Sequence, residues 1–478
     1  MPAKFFKSYD IRGTYPEITP EVFYLAGKGL VLEVLQKENL PTKVAVCHDT
    51  RLTSELFYKA LIKGILDGGG EVIPLGIASS DFLYAASQYN NIPGAIITAS
   101  HNPKDDNGVK IVKHGSTMLG MDEGLGKVRD FVVANIDSVN IDFESLEMPV
   151  LDEVNKNEVI KYFKSKIEEI GKISEVESLL AGRNQKIKIA VDAGNAMGGW
   201  IMNILKDMYK QVEFIPLYWE LDGNYPNHPA NPQEFENLKD LQKVVTEDSE
   251  IAFGFAFDGD ADRVGFIDEK AEVIQGDFLA AFFASTLLED YRKKPDPRFT
   301  PSVVYITPGS MCVPESIAIA GGVAVPSKQG HTYIKARMQE FKAIYGGEFS
   351  GHHYFADFGY MDSGVLTAVL MIKIFVMSGK SLSETFKYLN ESYFISDLVS
   401  FKIPDGETFE TLKIKAKENF ADSNGFSEYD GLAVYYSNWK FSMRPSGTEP
   451  VVRMILETKF KNETAEKMAL VKKVLGLE

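Results

Sequence analysis

Glu71-Val72-Ile73-Pro74-Leu75 and Glu213-Phe214-Ile215-Pro216-Leu217 are two apolar runs that share a glutamate opening and a proline in the same place. Each reads as the middle strand of a longer pattern. The first copy of that pattern has a strand at 43–47, a helix at 54–66, a strand at 71–76 and a strand at 94–98. The second has a strand at 187–191, a helix near 200–209, a strand at 212–217 and a strand at 251–257. The third has a strand at 303–307, a segment leading to 322–326, and a strand at 343–346. Short β-branched runs alternating with amphipathic helices imply βαβ units and a parallel or mixed sheet in each copy. The same spacing is common to α/β proteins, but here each closing strand also ends in a distinctive polar loop, at 98–103, 258–263 and 347–352. Ligand sites in such sheets gather beyond the carboxyl ends of the strands, so three equivalent loops are expected to converge on one cleft.

The chain changes character from Tyr393 onward. Leu398-Val399-Ser400-Phe401-Lys402-Ile403 is strand-like, 431–443 reads as strands around turns, and a helical pattern closes the chain at 464–475. The expected architecture is therefore three similar α/β domains with mixed sheets and a smaller C-terminal α+β domain around a central cleft. The divisions fall at 1–150, 151–272, 273–392 and 393–478, and the polar stretch 155–185 is read as one helix leading into the second unit.

Composition narrows the classes of function. With 478 residues the chain is long for one core. Its 45% hydrophobic and 25% charged residues are ordinary for a globular protein. A formal net charge of −16 argues against a nucleic-acid partner, which needs a broad basic surface. A small phosphorylated substrate is still compatible, because a few cations focused in a cleft outweigh a distant negative average. Cys47 and Cys312 are too few for a disulfide framework or zinc cage, and Cys47 sits in an apolar run as an inert thiol. Met1 to Lys7 carries no apolar signal core, and the apolar stretch 365–377 is short of the ~20 residues of a membrane span. That stretch reads as a buried helix, and a cytoplasmic protein with no membrane partner is expected.

Four loops carry candidate chemistry. Asp258-Gly259-Asp260-Ala261-Asp262-Arg263 follows an apolar strand, and alternate positions in extended chain share a face, so its three carboxylates can converge on one hard cation. Mg²⁺, which keeps open positions for water or phosphate, suits three ligands. An EF-hand would share the Asp spacing and find Glu269 in place, but Arg263 stands where its turn needs glycine and the flanks read as strands. A solvated acidic turn is the plainer alternative. Thr98-Ala99-Ser100-His101-Asn102-Pro103 puts a serine on an exposed bend, where an ordinary turn serine or helix cap fits as well. Arg444-Pro445-Ser446-Gly447-Thr448-Glu449-Pro450 joins two strands. Its small residues let backbone N–H groups face an anion beside Arg444, with Arg453 on the next strand, although a plain turn fits too. In Gly347-Glu348-Phe349-Ser350-Gly351-His352 a carboxylate and a hydroxyl on one face suit adjacent sugar hydroxyls.

Together, in this order, these segments resemble the α-D-phosphohexomutases, a resemblance that extends to Tyr9-Asp10-Ile11-Arg12-Gly13 and Asn107-Gly108-Val109-Lys110. The resemblance implies a phosphotransferase that interconverts hexose 1- and 6-phosphates through a phosphoserine at Ser100. Asp258, Asp260 and Asp262 would then hold Mg²⁺ with a phosphoserine oxygen, and glucose or mannose 1,6-bisphosphate would be the intermediate and activator. It further implies catalytic roles for Arg12, His101, Lys110, Arg263 and His331. Lys328, Glu348, Ser350, His352, Arg444, Ser446, Gly447, Thr448 and Arg453 would bind substrate, in a monomer or dimer whose partners are small hexose phosphates. A hinge near 379–393 would let the C-terminal domain close. Thr98 and Glu348-Phe349-Ser350 look closer to the mannose/glucose branch, whereas Arg444-Pro445-Ser446-Gly447-Thr448 looks closer to the phosphoglucosamine branch. Two rivals from other classes are a metal-dependent sugar phosphatase using Ser100 and a non-catalytic sugar-phosphate binder.

Overall fold

The computed structural model describes residues 2–182, 185–446 and 451–477. Three sheets repeat one plan. In the first, the strands run in the order Asp10–Thr14, Asp106–Val112, Gly94–Ile97, Lys43–His48, Glu71–Ile77. Lys43–His48 pairs in parallel with Glu71–Ile77 on one side and Gly94–Ile97 on the other, and the next strand turns back antiparallel. In the second sheet Ile187–Asp192 lies parallel between Val212–Leu217 and Ile251–Phe257, and Val264–Ile267 returns antiparallel. In the third, Thr300–Ile306 lies parallel between Val323–Ser327 and Ala343–Gly347, with His353–Phe355 antiparallel. The repeat read from the two proline-bearing strands is thus the repeat of the fold.

Parallel strands buried on both faces are near-continuous apolar runs. Ile251–Phe257 is one, with phenylalanine at 253, 255 and 257, all at most 2% exposed. The first core is closed by Phe23 stacked on Phe57, ring centres 4.1 Å apart, where the helices Pro20–Gly29 and Ser54–Asp67 meet. The C-terminal sheet pairs Trp439–Pro445 antiparallel with Val451–Thr458 and Leu432–Tyr435. It buries Phe441, Met443, Met454 and Leu456 against the helices Phe409–Asn419 and Thr464–Leu475.

The chain forms two compact units, residues 1–273 with 357–382, and residues 274–356 with 383–478. The apolar helix Gly364–Ser378 therefore follows the third sheet in sequence but packs in the first unit, against Glu153–Gly171 and Ile173–Leu180. These two replace the single helix read over 155–185: Lys172 takes a left-handed conformation (φ +48°) just after Gly171 and ends the first of them. The expected hinge stretch carries the helix Leu382–Ser392, which leaves only 379–381 and Tyr393 outside helices. Among the described residues no single helix is long and apolar enough to cross a membrane.

Candidate functional site

The serine and acidic loops meet in the first unit. Ser100 follows the strand Gly94–Ile97 in a left-handed conformation (φ +53°), which a non-glycine residue holds only when its surroundings impose it. Its N–H donates to Thr98 Oγ1 (2.9 Å), and a Cβ on Gly259 would lie 2.1 Å from the Ser100 carbonyl oxygen. The close approach of the two loops therefore requires glycine at 259. Ser100 Oγ donates to Asp258 Oδ2 (2.7 Å) and accepts from Arg263 Nη2 (3.2 Å). His101 Nδ1 lies 3.4 Å from the same hydroxyl.

Asp258, Asp260 and Asp262 are all at most 1% exposed, and one carboxylate oxygen from each falls within 4.8 Å of the others. Three anions so close and so buried need positive charge. Lys110 supplies it, its Nζ 2.6 Å from Asp260 Oδ2 and 2.6 Å from Asp262 Oδ2, while Arg263 Nε donates to Asp258 Oδ2 (2.9 Å). Burial pushes the Asp258 carboxyl up to about 7, with Arg263 opposing the rise and Asp262 and Asp260 adding to it. Burial pulls the Lys110 ammonium down, but Asp260 and Asp262 outweigh it and hold it well above the usual lysine range. Ser80 Oγ also donates to Asp260 Oδ2 (2.5 Å). Asp260 Oδ1 is buried with no hydrogen-bond partner among the described groups, which fits a carboxylate kept for a cation. An all-oxygen donor set of this kind suits Mg²⁺.

Arg12 stands at the edge of this site, its Nη2 2.6 Å from Asp10 Oδ2 and its Nη1 donating to Asn102 Oδ1 (2.9 Å). Sequence reading missed Arg51, whose guanidinium hydrogen-bonds to four carbonyl oxygens around Ser100.

In the second unit Ser350 Oγ donates to Glu348 Oε2 (3.0 Å), but the two meet across a turn closed by Gly351 N–H to Glu348 O (3.2 Å) rather than by alternation along extended chain. Tyr354, also missed, donates to Glu348 Oε1 (2.7 Å), and His352 Nδ1 lies 3.0 Å from Ser350 Oγ. Both Glu348 and Ser350 are buried. His331 is the first residue of the helix His331–Phe341 and is buried, whereas Lys328 is exposed beside the Tyr333 ring. Arg444 lies directly across the strand pair from Arg453, hydrogen-bonds to Gln329 and lies 3.8 Å from Asp430. Like charges facing each other across strands are unfavourable unless an anion joins them. Both arginines line a shallow, open depression with Ser442, Phe349 and Pro308. Ser446 N–H donates to Val451 O (3.0 Å), and Gly447 and Thr448 lie outside the described residues.

Comparison with known proteins converges on one family. Models of phosphoglucomutase/phosphomannomutase domains I, II and III match residues 3–125, 164–272 and 275–393, and the model of its C-terminal domain matches 398–471. A phosphomannomutase of Vibrio cholerae is 32% identical over 466 residues, covering 95% of this chain and 94% of that protein. A protein of Xanthomonas campestris described as phosphohexose mutases is also 32% identical, covering 95% of each chain. The crystal structure of a phosphoglucomutase/phosphomannomutase family protein from Burkholderia thailandensis superposes with a TM-score of 0.80 at 24% identity, covering 99% of this chain and 98% of that one. The chain is an enzyme of the phosphoglucomutase/phosphomannomutase family.

Proposed function

We propose that the enzyme interconverts the 1- and 6-phosphates of mannose or glucose, with Ser100 as the carrier of the phosphoryl group. The observation that carries this reading is the Ser100 hydroxyl placed between Asp258 and Arg263, at the head of a buried carboxylate cluster with an unpartnered oxygen. In the first transfer the bond from phosphorus to Ser100 Oγ breaks and a bond to the free hexose hydroxyl forms, giving a 1,6-bisphosphate. After the sugar turns around, the other phosphate returns to Ser100. Asp258, Asp260 and Asp262 would hold Mg²⁺, which supplies charge neutralisation at the phosphoryl oxygens. Arg263 donates to the Ser100 oxygen as it becomes a leaving group, and Lys110 offsets the surplus of carboxylate charge. Arg12 and His331 are assigned to proton transfer or charge stabilisation at the reacting end. Glu348 and Ser350 read neighbouring sugar hydroxyls, while Arg444 and Arg453, with the loop of Ser446, Gly447 and Thr448, take the phosphate that does not react.

The Glu348-Phe349-Ser350 loop, rather than the phosphate loop, is the part that meets the distinguishing hydroxyls, and it favours mannose or glucose over glucosamine. Mannose, glucose and glucosamine 1-phosphates assayed side by side with Mg²⁺ and a hexose 1,6-bisphosphate test this. The first or second is converted fastest, with little free phosphate released. Preference for the glucosamine ester overturns the substrate reading, and steady phosphate release without isomerisation overturns the mutase reading in favour of a phosphatase.

A further inference from the structure

We infer that Arg51 is the positioning residue of the Ser100 loop: it fixes where the serine hydroxyl stands and so sets the rate of phosphoryl transfer without touching substrate. The inference rests on the reading of Ser100 as the phosphoryl carrier. Arg51 follows the strand Lys43–His48, and its side chain is completely buried. All four terminal N–H groups go to one loop. Nη1 donates to Pro103 O (2.5 Å) and Asp106 O (2.8 Å), and Nη2 donates to Ser100 O and Asn102 O (2.7 Å each). Nε faces Asp49 Oδ2 at 3.2 Å, and the other Asp49 oxygen is tied by Ser54 Oγ (2.5 Å) and the Arg51 N–H (3.0 Å).

One face of the guanidinium is covered by an aromatic ring. The Tyr225 ring lies over it, 5.5 Å from centre to centre. The segment bearing Tyr225 comes so close that a Cβ on Gly223 would sit 2.3 Å from Thr50 O. The Ser100 carbonyl is thus held by Arg51 from one side and packed on Gly259 from the other. Its residue is the one in the left-handed conformation that directs Oγ to Asp258. Lysine cannot replace this arrangement. Its ammonium is one compact point with three N–H groups, whereas four carbonyls here are spread around a planar fork. None of the Arg51 contacts involves Asp258, Asp260 or Asp262, so its effect on transfer is separable from metal binding.

The test compares the wild-type chain with Arg51→Lys and Tyr225→Leu. It measures single-turnover phosphorylation of Ser100 by glucose 1,6-bisphosphate, kcat and KM for the monophosphate, and Mn²⁺ affinity by electron paramagnetic resonance. Arg51→Lys is expected to slow Ser100 phosphorylation and kcat together by up to about 100-fold, since misplacement by about an ångström costs that much. KM and Mn²⁺ affinity stay near wild type. Tyr225→Leu removes the ring but keeps the hydrogen bonds, and lowers kcat about two- to fivefold at constant KM, which serves as the test should Arg51→Lys fail to fold. Wild-type rates in the folded variants overturn the inference, as does a matching loss of Mn²⁺ affinity and KM, which marks Arg51 as general scaffolding. A wild-type enzyme that neither phosphorylates Ser100 nor isomerises sugars overturns the underlying reading instead.

Discussion

Ser100 Oγ donates a 2.7 Å hydrogen bond to Asp258 Oδ2 across 158 residues of sequence. The hydroxyl is thereby tied to a buried carboxylate that itself belongs to a three-carboxylate cluster. The two ends of that bond come from equivalent positions in two copies of one unit, each just past the closing parallel strand.

Asp260 Oδ1 is buried with no hydrogen-bond partner among the described groups, which makes Asp260 a direct test of the proposed metal site. Asp260→Asn is expected to weaken Mg²⁺ activation and Mn²⁺ binding at least about tenfold, with the far-ultraviolet circular dichroism unchanged. Equal Mn²⁺ affinity in the two proteins would exclude Asp260 from the metal site.

Glu348 accepts from both Ser350 and Tyr354, which fixes its carboxylate for the sugar contact proposed above. Glu348→Gln keeps the shape but exchanges one acceptor for a donor. The expected result is a fall in kcat/KM for hexose 1-phosphate on the order of 100-fold, without an equal loss of thermal stability. Steady-state kinetics beside a melting curve separate the two.

Much of this was legible in the sequence, and the parts that were not have physical causes. The three strand-end loops are local: a short strand followed by a polar turn announces itself whatever surrounds it. Arg51 did not, because its partners are carbonyl oxygens, which every residue carries and no motif encodes. The available signal was an arginine just past the carboxyl end of a parallel strand, where ligand sites gather in α/β sheets. Tyr354 was hidden for a similar reason, being an aromatic residue inside a strand until its hydroxyl is seen on Glu348. The helix Gly364–Ser378 was legible as buried, but its packing in the first unit rather than with the sheet before it is decided by tertiary contact alone.

Asp277 is buried, and burial pushes its carboxyl up to about 6, with the Ser310 N–H and Lys440 partly opposing. The unfolded chain releases this proton near its ordinary value of about 3.9. Between those values the native state binds more proton than the unfolded state, so Asp277 makes stability fall as pH rises from about 4 to about 6. Urea unfolding of Asp277→Asn across this range should lack that part of the slope. A slope identical to wild type would contradict the assignment.

His228 places both ring nitrogens against acceptors, Nε2 3.0 Å from Asp192 Oδ2 and Nδ1 2.9 Å from Pro229 O. Burial lowers its proton affinity, but the bond to Asp192 more than offsets this and the net shift is upward. A raised folded-state value means the stabilisation is full below about 6.5 and is lost as pH rises through the higher native value. His228→Ala should therefore be less stable than wild type at pH 6 and close to it at pH 9, which urea midpoints at the two values would show.

The central claim is that Ser100 carries the phosphoryl group, and intact-protein mass spectrometry addresses it directly. Incubated with glucose 1,6-bisphosphate and Mg²⁺, the wild-type chain should gain the mass of one phosphoryl group, which peptide mapping places on Ser100 and which unlabelled hexose monophosphate then removes. Ser100→Ala should gain none and should not isomerise hexose phosphates. A wild-type enzyme that turns over hexose phosphates without ever carrying phosphate on Ser100, or a Ser100→Ala variant that isomerises them at the wild-type rate, would contradict the account.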